Sequence, residues 1–526
     1  MKKMKTILLT VLMLIASQTM LAQARTVTGR VTSAEDGKAI AEATVRLKGA
    51  ITVTTTMPDG SFTISVDQRS SDVLVFNHPH YDEIEINLNG RTQLEVTMIL
   101  NVRFNQYGVP VERRGLNAEE RSGILVLESP DQDYRFWFDL RVQLDGAVFW
   151  GETFNPIGSG AEVRRARFAV KAELGGNWMA ELDMDFADAL ADLKDAYLKY
   201  QFSENTWIRA GNFKERFSME TNTTSRYLTF MERPVVTRTL TPSRHLGIQG
   251  SFGRYGLLAV AGVHFQDVGD LEAVQARKDN NNATGQDEGY SLTGKLTAMP
   301  YYKDTQKGLH FALAGSYRTP KLHDRVNQVR FDSRSFGNIN RKKYLDTDRF
   351  DVENYTLANF EAAGYYKGLK LQGEYTRAKV NRPDDKGTEN FEGFYVMGSY
   401  LLFGGNHLYN TNEGEFTQAM PGKSWGDIEI AARYEFLDLN SRMDGIMGGA
   451  GEALVFAVNY YAKNNIKLAV NYGIANHDRY ANGRSRLFVG TDEQGKPTTN
   501  PALVTEPKGK AGEKYNILSF RVEVAF

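Results

Sequence analysis

The sequence predicts an all-β chain, a 16-stranded antiparallel transmembrane β-barrel preceded by a small β-sandwich. Three observations predict it. From Tyr134 onward, sixteen stretches alternate polar and apolar residues, and a strand needs about 9–11 residues to cross a bilayer. The connections between them alternate between tight turns and long loops, the pattern of the two rims of a barrel. Ahead of them, seven shorter alternating bursts crowd into residues 25–100.

Composition narrows the function classes. The 526 residues include 25 Tyr, 29 Phe and 48 Gly but no Cys, which excludes a disulfide scaffold and thiolate metal sites. A net charge of −1 argues against a nucleic-acid binder. With eight His and no Ser-His-Asp set standing out, no catalytic residue or cofactor is assigned. After the N-terminus no run of about 18 apolar residues occurs, so no membrane helix is expected in the mature chain.

Residues 1–24 read as an export signal: Lys2, Lys3 and Lys5, an apolar stretch from Ile7 to Ala16, then Ala22-Gln23-Ala24 for cleavage. With no Cys nearby, lipid anchoring at the new terminus is excluded. In residues 25–100 the expected strands are 26–31, 43–48, 51–56, 61–66, 73–76, 84–88 and 94–99, separated by turn signals such as Pro58-Asp59-Gly60. His78, His80, Asp82 and Glu83 lie close together, and 78, 80 and 82 would share a strand face. Pro79 and Tyr81 read instead as a strand-edge bend, and no distant cluster completes a coordination shell, so no metal is assigned. Residues 101–133 lose the alternation and read as a linker, with room for one short strand at 124–127.

The barrel, 134–526, is read as strands 134–150, 163–174, 178–187, 192–202, 206–214, 245–253, 255–267 and 290–301. The second half is 308–319, 356–367, 369–380, 391–402, 425–439, 451–463, 466–476 and 514–526. Two connections fit poorly: 403–424 is long where a short turn is due, and 188–191 is short where a long loop is due. Along the strands, Phe168, Val170 and Leu174 oppose Arg165, Arg167 and Lys171. Leu182 and Phe186 oppose Glu181, Asp183 and Asp185, and Ile430 and Tyr434 oppose Glu429, Arg433 and Glu435. An Arg facing lipid at the midplane costs about 2–4 kcal/mol, so the charged parity is expected to face water. A soluble sandwich gives the same alternation, but long strands, an export signal and a terminal Phe526 favour the membrane form. Sixteen strands enclose an aqueous channel.

One connection stands apart, the thirty residues 215–244 that follow the fifth strand. With Lys214, the insert carries Arg216, Arg226, Arg233, Arg238 and Arg244 against Glu215, Glu220 and Glu232, a net +3 in a chain of net −1. Apolar anchors such as Phe217, Phe230 and Val236 recur through it, so an ordered loop held against the barrel wall is expected.

Two resemblances follow from motifs. Val27…Gly29…Val31, Ala43-Thr44-Val45, Lys48-Gly49 and Asp59-Gly60-Ser61-Phe62 resemble the carboxypeptidase regulatory-like domain, a non-catalytic module often found ahead of outer-membrane barrels. From about residue 134 onward the chain resembles the phosphate-selective porin O and P family. The matching pieces are Val163-Arg164-Arg165-Ala166-Arg167, Leu193-Lys194-Asp195-Ala196-Tyr197, Gly211-Asn212-Phe213-Lys214, Phe230-Met231-Glu232-Arg233 and Arg244-His245-Leu246-Gly247. They continue with Ile430-Ala431-Ala432-Arg433-Tyr434 and Leu437-Asp438-Leu439. That resemblance implies a trimeric outer-membrane channel whose third loop folds inward and whose constriction carries arginines and a lysine.

Carried over, Arg165 and Arg167 look like pore-wall arginines, joined on the charged parity by Lys171 and Arg433. Lys214, Arg216, Arg226, Arg233, Arg238 and Arg244 become candidates for anion binding at the constriction. The alternative is that they pair with Glu215, Glu220 and Glu232 and pin the loop; for Arg233, beside Glu232, that reading leads. The lumen parity also holds Glu181, Asp183, Asp185, Glu429 and Glu435, a departure that makes phosphate selectivity less secure than the fold.

The expected function is passive diffusion of small solutes with a preference for phosphate-like anions. The alternatives are a general or weakly selective porin and a TonB-linked uptake component. The partners expected are small anions, outer-membrane lipid, the barrel-assembly machinery through Phe526, and two further copies in a trimer. The expected location is the outer membrane of a Gram-negative bacterium, with the N-terminal domain in the periplasm.

Overall fold

The computed structural model describes residues 24–526 except 67–71, 113–115, 122, 153–156, 188–189, 271–273, 275–288, 305–306, 321, 324–325, 335, 384–385, 442–444, 463–464, 482–489, 499, 501 and 506–511. The export signal expected over residues 1–24 therefore falls almost wholly outside the described residues. The chain divides into two compact units, up to Gly115 and from Leu116 onward.

In the first unit a three-stranded sheet runs in the order Ser61–Val66, Arg25–Ser33, Gln93–Met98. A four-stranded sheet runs Val53–Thr55, Thr44–Leu47, Val73–His78, Tyr81–Asn87. Alternation buries Val27, Val31 and Ile64 from one sheet against Val45, Leu74 and Phe76 from the other in a single core. Phe62 and Phe76 meet edge to face at 5.3 Å across it. Gly29 is required where strands crowd, since a Cβ there would lie 2.2 Å from the Leu94 carbonyl oxygen. The Nδ1 of His78 accepts the His80 backbone N–H at 3.1 Å, which fits the bend expected there.

The second unit is a closed antiparallel barrel of sixteen strands. They are β1 (Tyr134–Glu152), β2 (Gly160–Leu174), β3 (Trp178–Asp185), β4 (Asp192–Ser203), β5 (Thr206–Lys214) and β6 (Arg244–Arg254). Next come β7 (Leu257–His264), β8 (Ser291–Ala298), β9 (Lys307–Arg318), β10 (Asn354–Tyr366) and β11 (Leu369–Asn381). The last five are β12 (Thr388–Leu401), β13 (Asp427–Ser441), β14 (Ile446–Ala462), β15 (Ile466–His477) and β16 (Lys514–Ala525). Pairing of β1 with β16, from Arg141↔Ala525 to Glu152↔Lys514, closes the ring. Residues 117–128, inside the stretch expected as a linker, form a hairpin of Asn117–Arg121 and Ile124–Glu128 that continues the barrel sheet onto β1.

The outward parity is the apolar one. Leu182, Phe252, Leu313, Phe360, Val396 and Phe520 are exposed and form part of a belt suited to lipid. The inward parity is not uniformly wet. The third loop, between β5 and β6, carries two short helices, α1 (Met219–Asn222) and α2 (Val235–Leu240). Its Phe217, Phe230 and Val236 join Phe331, Tyr344 and Phe350 of the fifth loop, between β9 and β10, in one core against the inner faces of β10 to β16. Part of the lumen is thereby a packed apolar core. The long connection between β12 and β13 is a hairpin of its own, Asn406–Asn410 paired with Glu415–Met420.

Candidate functional site

The third loop is gripped by wall side chains that lie far away in sequence. The Glu435 carboxylate of β13 accepts the Val235 N–H at 2.6 Å, capping α2 where Pro234 supplies no side-chain cap. Glu361 of β10 accepts the Met219 N–H at 3.0 Å and Glu374 of β11 accepts the Glu220 N–H at 2.8 Å, at the start of α1. Carbonyls of the loop are held in turn: Asn459 donates to Thr229 O at 2.8 Å and Arg433 to Glu232 O at 2.8 Å. Carboxylates answer the free N–H groups, and an amide and a guanidinium answer the carbonyls, so these backbone groups stay paired where an irregular chain crosses the lumen.

Ion pairs tie the loop at its start, through Glu215, and in its second half, through Glu232. Glu215 is fully buried and accepts Arg318 at 3.0 Å and lies 2.8 Å from the His245 Nδ1. Burial alone would raise its carboxyl; Arg318 and His245 outweigh that and hold it well below the usual range. Arg164 forks onto Glu232 at 2.6 and 3.0 Å, with Arg521 at 3.4 Å. Against the cost of burial, these arginines keep the Glu232 carboxyl far below its ordinary value.

What the loop leaves open is a cleft of about 160 Å³ between α1 and the inner faces of β1 to β6. Among the described residues its lining carries seven cations (Arg141, Arg167, Lys171, Arg209, Lys214, Arg216, Arg244) and four carboxylates (Asp139, Glu181, Asp183, Asp195). The lining charge is therefore +3. Asp139 answers three cations, Lys171 at 3.5 Å, Arg141 at 3.7 Å and Arg226, and Glu181 also meets Lys171 at 3.5 Å. Among the described residues Arg209 has only neutral hydrogen-bond partners. It donates to Lys214 O at 2.9 Å and Gln249 Oε1 at 2.7 Å, and its guanidinium lies 4.0 Å over the Phe213 ring.

The residues expected at the site divide. Arg167, Lys171, Lys214, Arg216 and Arg244 line the cleft. Lys214 spends its ammonium on Thr221 O at 2.8 Å and Asn222 O at 3.2 Å, and Arg244 pairs with Asp195 at 2.6 Å. Arg165, Arg226, Arg233, Arg238 and Arg433 do not line it. Arg165 is buried beneath the loop and donates to Gln143 at 2.6 Å. Arg233 donates to Glu220 O at 2.8 Å and Thr223 O at 2.5 Å, which pins α1, and Arg238 sits in the field of Glu232 and Glu435. Arg433 is 2 % exposed and pairs with Glu435 at 2.7 Å. Glu429 and Glu435, expected to face water, lie on the inward parity but are fully buried under the loop. Arg141 and Arg209 escaped the sequence reading; the inward parity of β1 and β5 carried the signal, since each alternates with apolar neighbours.

A closed sixteen-strand barrel with an apolar belt, an inward third loop and a charged cleft beside it defines an outer-membrane porin. The model of the family phosphate-selective porin O and P matches residues 136–492, and the chain belongs to that family. Its place is the outer membrane of Gram-negative bacteria. A curated relative, an uncharacterized protein of Caulobacter vibrioides, is 26% identical over 329 residues, spanning 61% of this chain and 64% of the relative. The anion-selective porin from Comamonas acidovorans is similar in structure at 11% identity and a TM-score of 0.45, covering 75% of this chain and 100% of that one. The outer-membrane channel DcaP of Acinetobacter baumannii has 12% identity and a TM-score of 0.44, covering 76% and 99%. OmpT of Vibrio cholerae has 11% identity and a TM-score of 0.44, covering 75% and 98%.

Proposed function

We propose that small anions diffuse through the cleft between the third loop and β1 to β6, drawn by its surplus of fixed cations. The observation that carries this is the lining charge of +3, with Arg209 making no ion pair to a carboxylate among the described residues. An anion path needs cations close enough to pass the solute along and weak enough to release it. Arg141, Arg209, Arg167 and Arg244 offer planar donors suited to phosphate or carboxylate groups. Arg226, Arg233, Arg238, Arg165 and Arg433 then serve to seat the third loop rather than to bind solute. The four carboxylates in the lining moderate the preference and favour a general anion-preferring pore over one dedicated to phosphate.

The test is the reversal potential of the purified protein in a planar bilayer under a KCl gradient, with and without phosphate. Anion selectivity that falls in Arg209→Gln and Arg141→Gln supports the path. A conducting but cation-selective pore would overturn it, and a block of chloride current by phosphate would add a phosphate site. The same proposal places the short-turn rim and the N-terminal sandwich, read as a carboxypeptidase regulatory-like module, in the periplasm. It includes removal of the export signal, assembly as a trimer and recognition of Phe526 by the barrel-assembly machinery. Native mass spectrometry giving only monomers would remove the trimer, and protease shaving of intact cells that cut residues 25–100 would remove the periplasmic placement.

A further inference from the structure

The long connection between β12 and β13 leaves the rim where the other connections are mostly tight, yet it does not stay there. Asp427, at the start of β13, gathers its base by accepting the N–H groups of Phe403 at 3.0 Å, Gly405 at 2.9 Å and Gly422 at 2.9 Å. From that stem the hairpin turns inward. Tyr409 meets His310 of β9 at 2.5 Å, and Phe416 packs with Met219 of α1 and Tyr365 of β10. The tip residue Gly414, at φ +68°, lies near Leu258 of β7 and Thr297 of β8, across the lumen from the hairpin's own strands. Glycine is needed there because the tight turn requires positive φ. The tip then presents two carboxylates. Glu413 pairs with Arg216, and Glu415 accepts from the same guanidinium at 2.9 Å. Both pairs are only partly buried, with side-chain exposures of 13% for Arg216, 23% for Glu413 and 16% for Glu415. Lys199 and Arg209 add their fields to Glu413.

From this placement we infer that Glu413 and Glu415, carried into the lumen by the 406–420 hairpin, are specificity-determining residues that weaken the pore's preference for anions by neutralising Arg216. The inference rests on the reading of the cleft as the permeation path. The cleft lining alone carries +3, and the two tip glutamates bring the local balance to +1. Removing both carboxylates restores the full surplus without touching the barrel wall. A unit charge about 8 Å from a permeating ion in water changes its local concentration roughly twofold, so two charges change it roughly fourfold before screening.

The experiment compares the full chain with E413Q/E415Q, R216Q and Tyr409→Phe in planar bilayers under a KCl gradient. The chloride-to-potassium permeability ratio is expected to rise about two- to fourfold in E413Q/E415Q. It is expected to fall below wild type in R216Q, where both carboxylates are left unanswered. Tyr409→Phe loosens the hairpin without changing charge and is expected to leave the ratio near wild type. An unchanged ratio in E413Q/E415Q overturns the inference, and so does an equal rise in Tyr409→Phe, which would make displacement of the hairpin the cause. If the double variant does not fold, the single variants E413Q and E415Q decide, and an unchanged ratio in both overturns the inference. Failure of the wild type to conduct would instead sink the porin path itself.

Discussion

Glu435→Ala tests how the third loop is held. The side chain is fully buried, and its two oxygens do separate work: one accepts the Val235 N–H at 2.6 Å, the other accepts Arg433 at 2.7 Å. Alanine removes the cap of α2 and the counter-charge of Arg433 together. Arg433 keeps its bond to Glu232 O and lies 4.5 Å from the Phe230 ring, but its charge is then unanswered in a dry site. Breaking a buried pair from one side costs about 3–5 kcal/mol. At about 1.4 kcal/mol per tenfold, the seated state of α2 loses a factor on the order of a hundred to a thousand. The rest of the loop stays tied by Asn459, by the Arg164–Glu232 fork and by Glu215 with Arg318, so the barrel itself survives. The expected result is a heat-modifiable, folded barrel with a larger mean conductance and excess open-channel noise. Conductance and noise matching wild type, in a protein whose fold is intact, would refute the claim that wall carboxylates seat this loop.

Other expectations follow from the same geometry. Leu313→Arg, on the outward parity of β9, should lower the free energy of folding into vesicles by about 2–4 kcal/mol in a denaturant titration; no change would mean that this face does not meet lipid. Phe391→Ala should cost about 3–5 kcal/mol, since the ring is fully buried 5.4 Å from Phe331, and it should open the fifth loop to trypsin. Burial, with Glu413 beside it, raises the Glu415 carboxyl, although Arg216 and Lys214 oppose this and Lys295 adds a further opposing charge. Glu415 therefore loses its charge at a higher pH than an ordinary carboxylate. Anion preference should rise as pH falls from neutral, and a reversal potential with the same pH response in E415Q would contradict this.

Much of the architecture is local and so was legible in the sequence. All sixteen barrel strands lie where the alternation put them, because a strand between lipid and lumen must switch polarity at every residue. The seven strands of the two packed sheets in the N-terminal unit also alternate, between a core and a solvent face. The misfit of residues 403–424 was visible as well, as a connection too long for its rim.

What alternation does not encode is what covers the inward face. Arg167 and Arg433 share that parity, yet one lines the open cleft and the other lies dry beneath the third loop. The difference is made by contacts between residues about two hundred positions apart, such as Glu435 with Val235 and Glu415 with Arg216. Sequence alone determined the barrel, the lipid-facing parity and the presence of a cation-rich third loop. Only the tertiary structure decided which cations stay beside water and which are consumed as anchors. A charge's role depends on the partner that reaches it, and those partners arrive through chain closure rather than through local spacing.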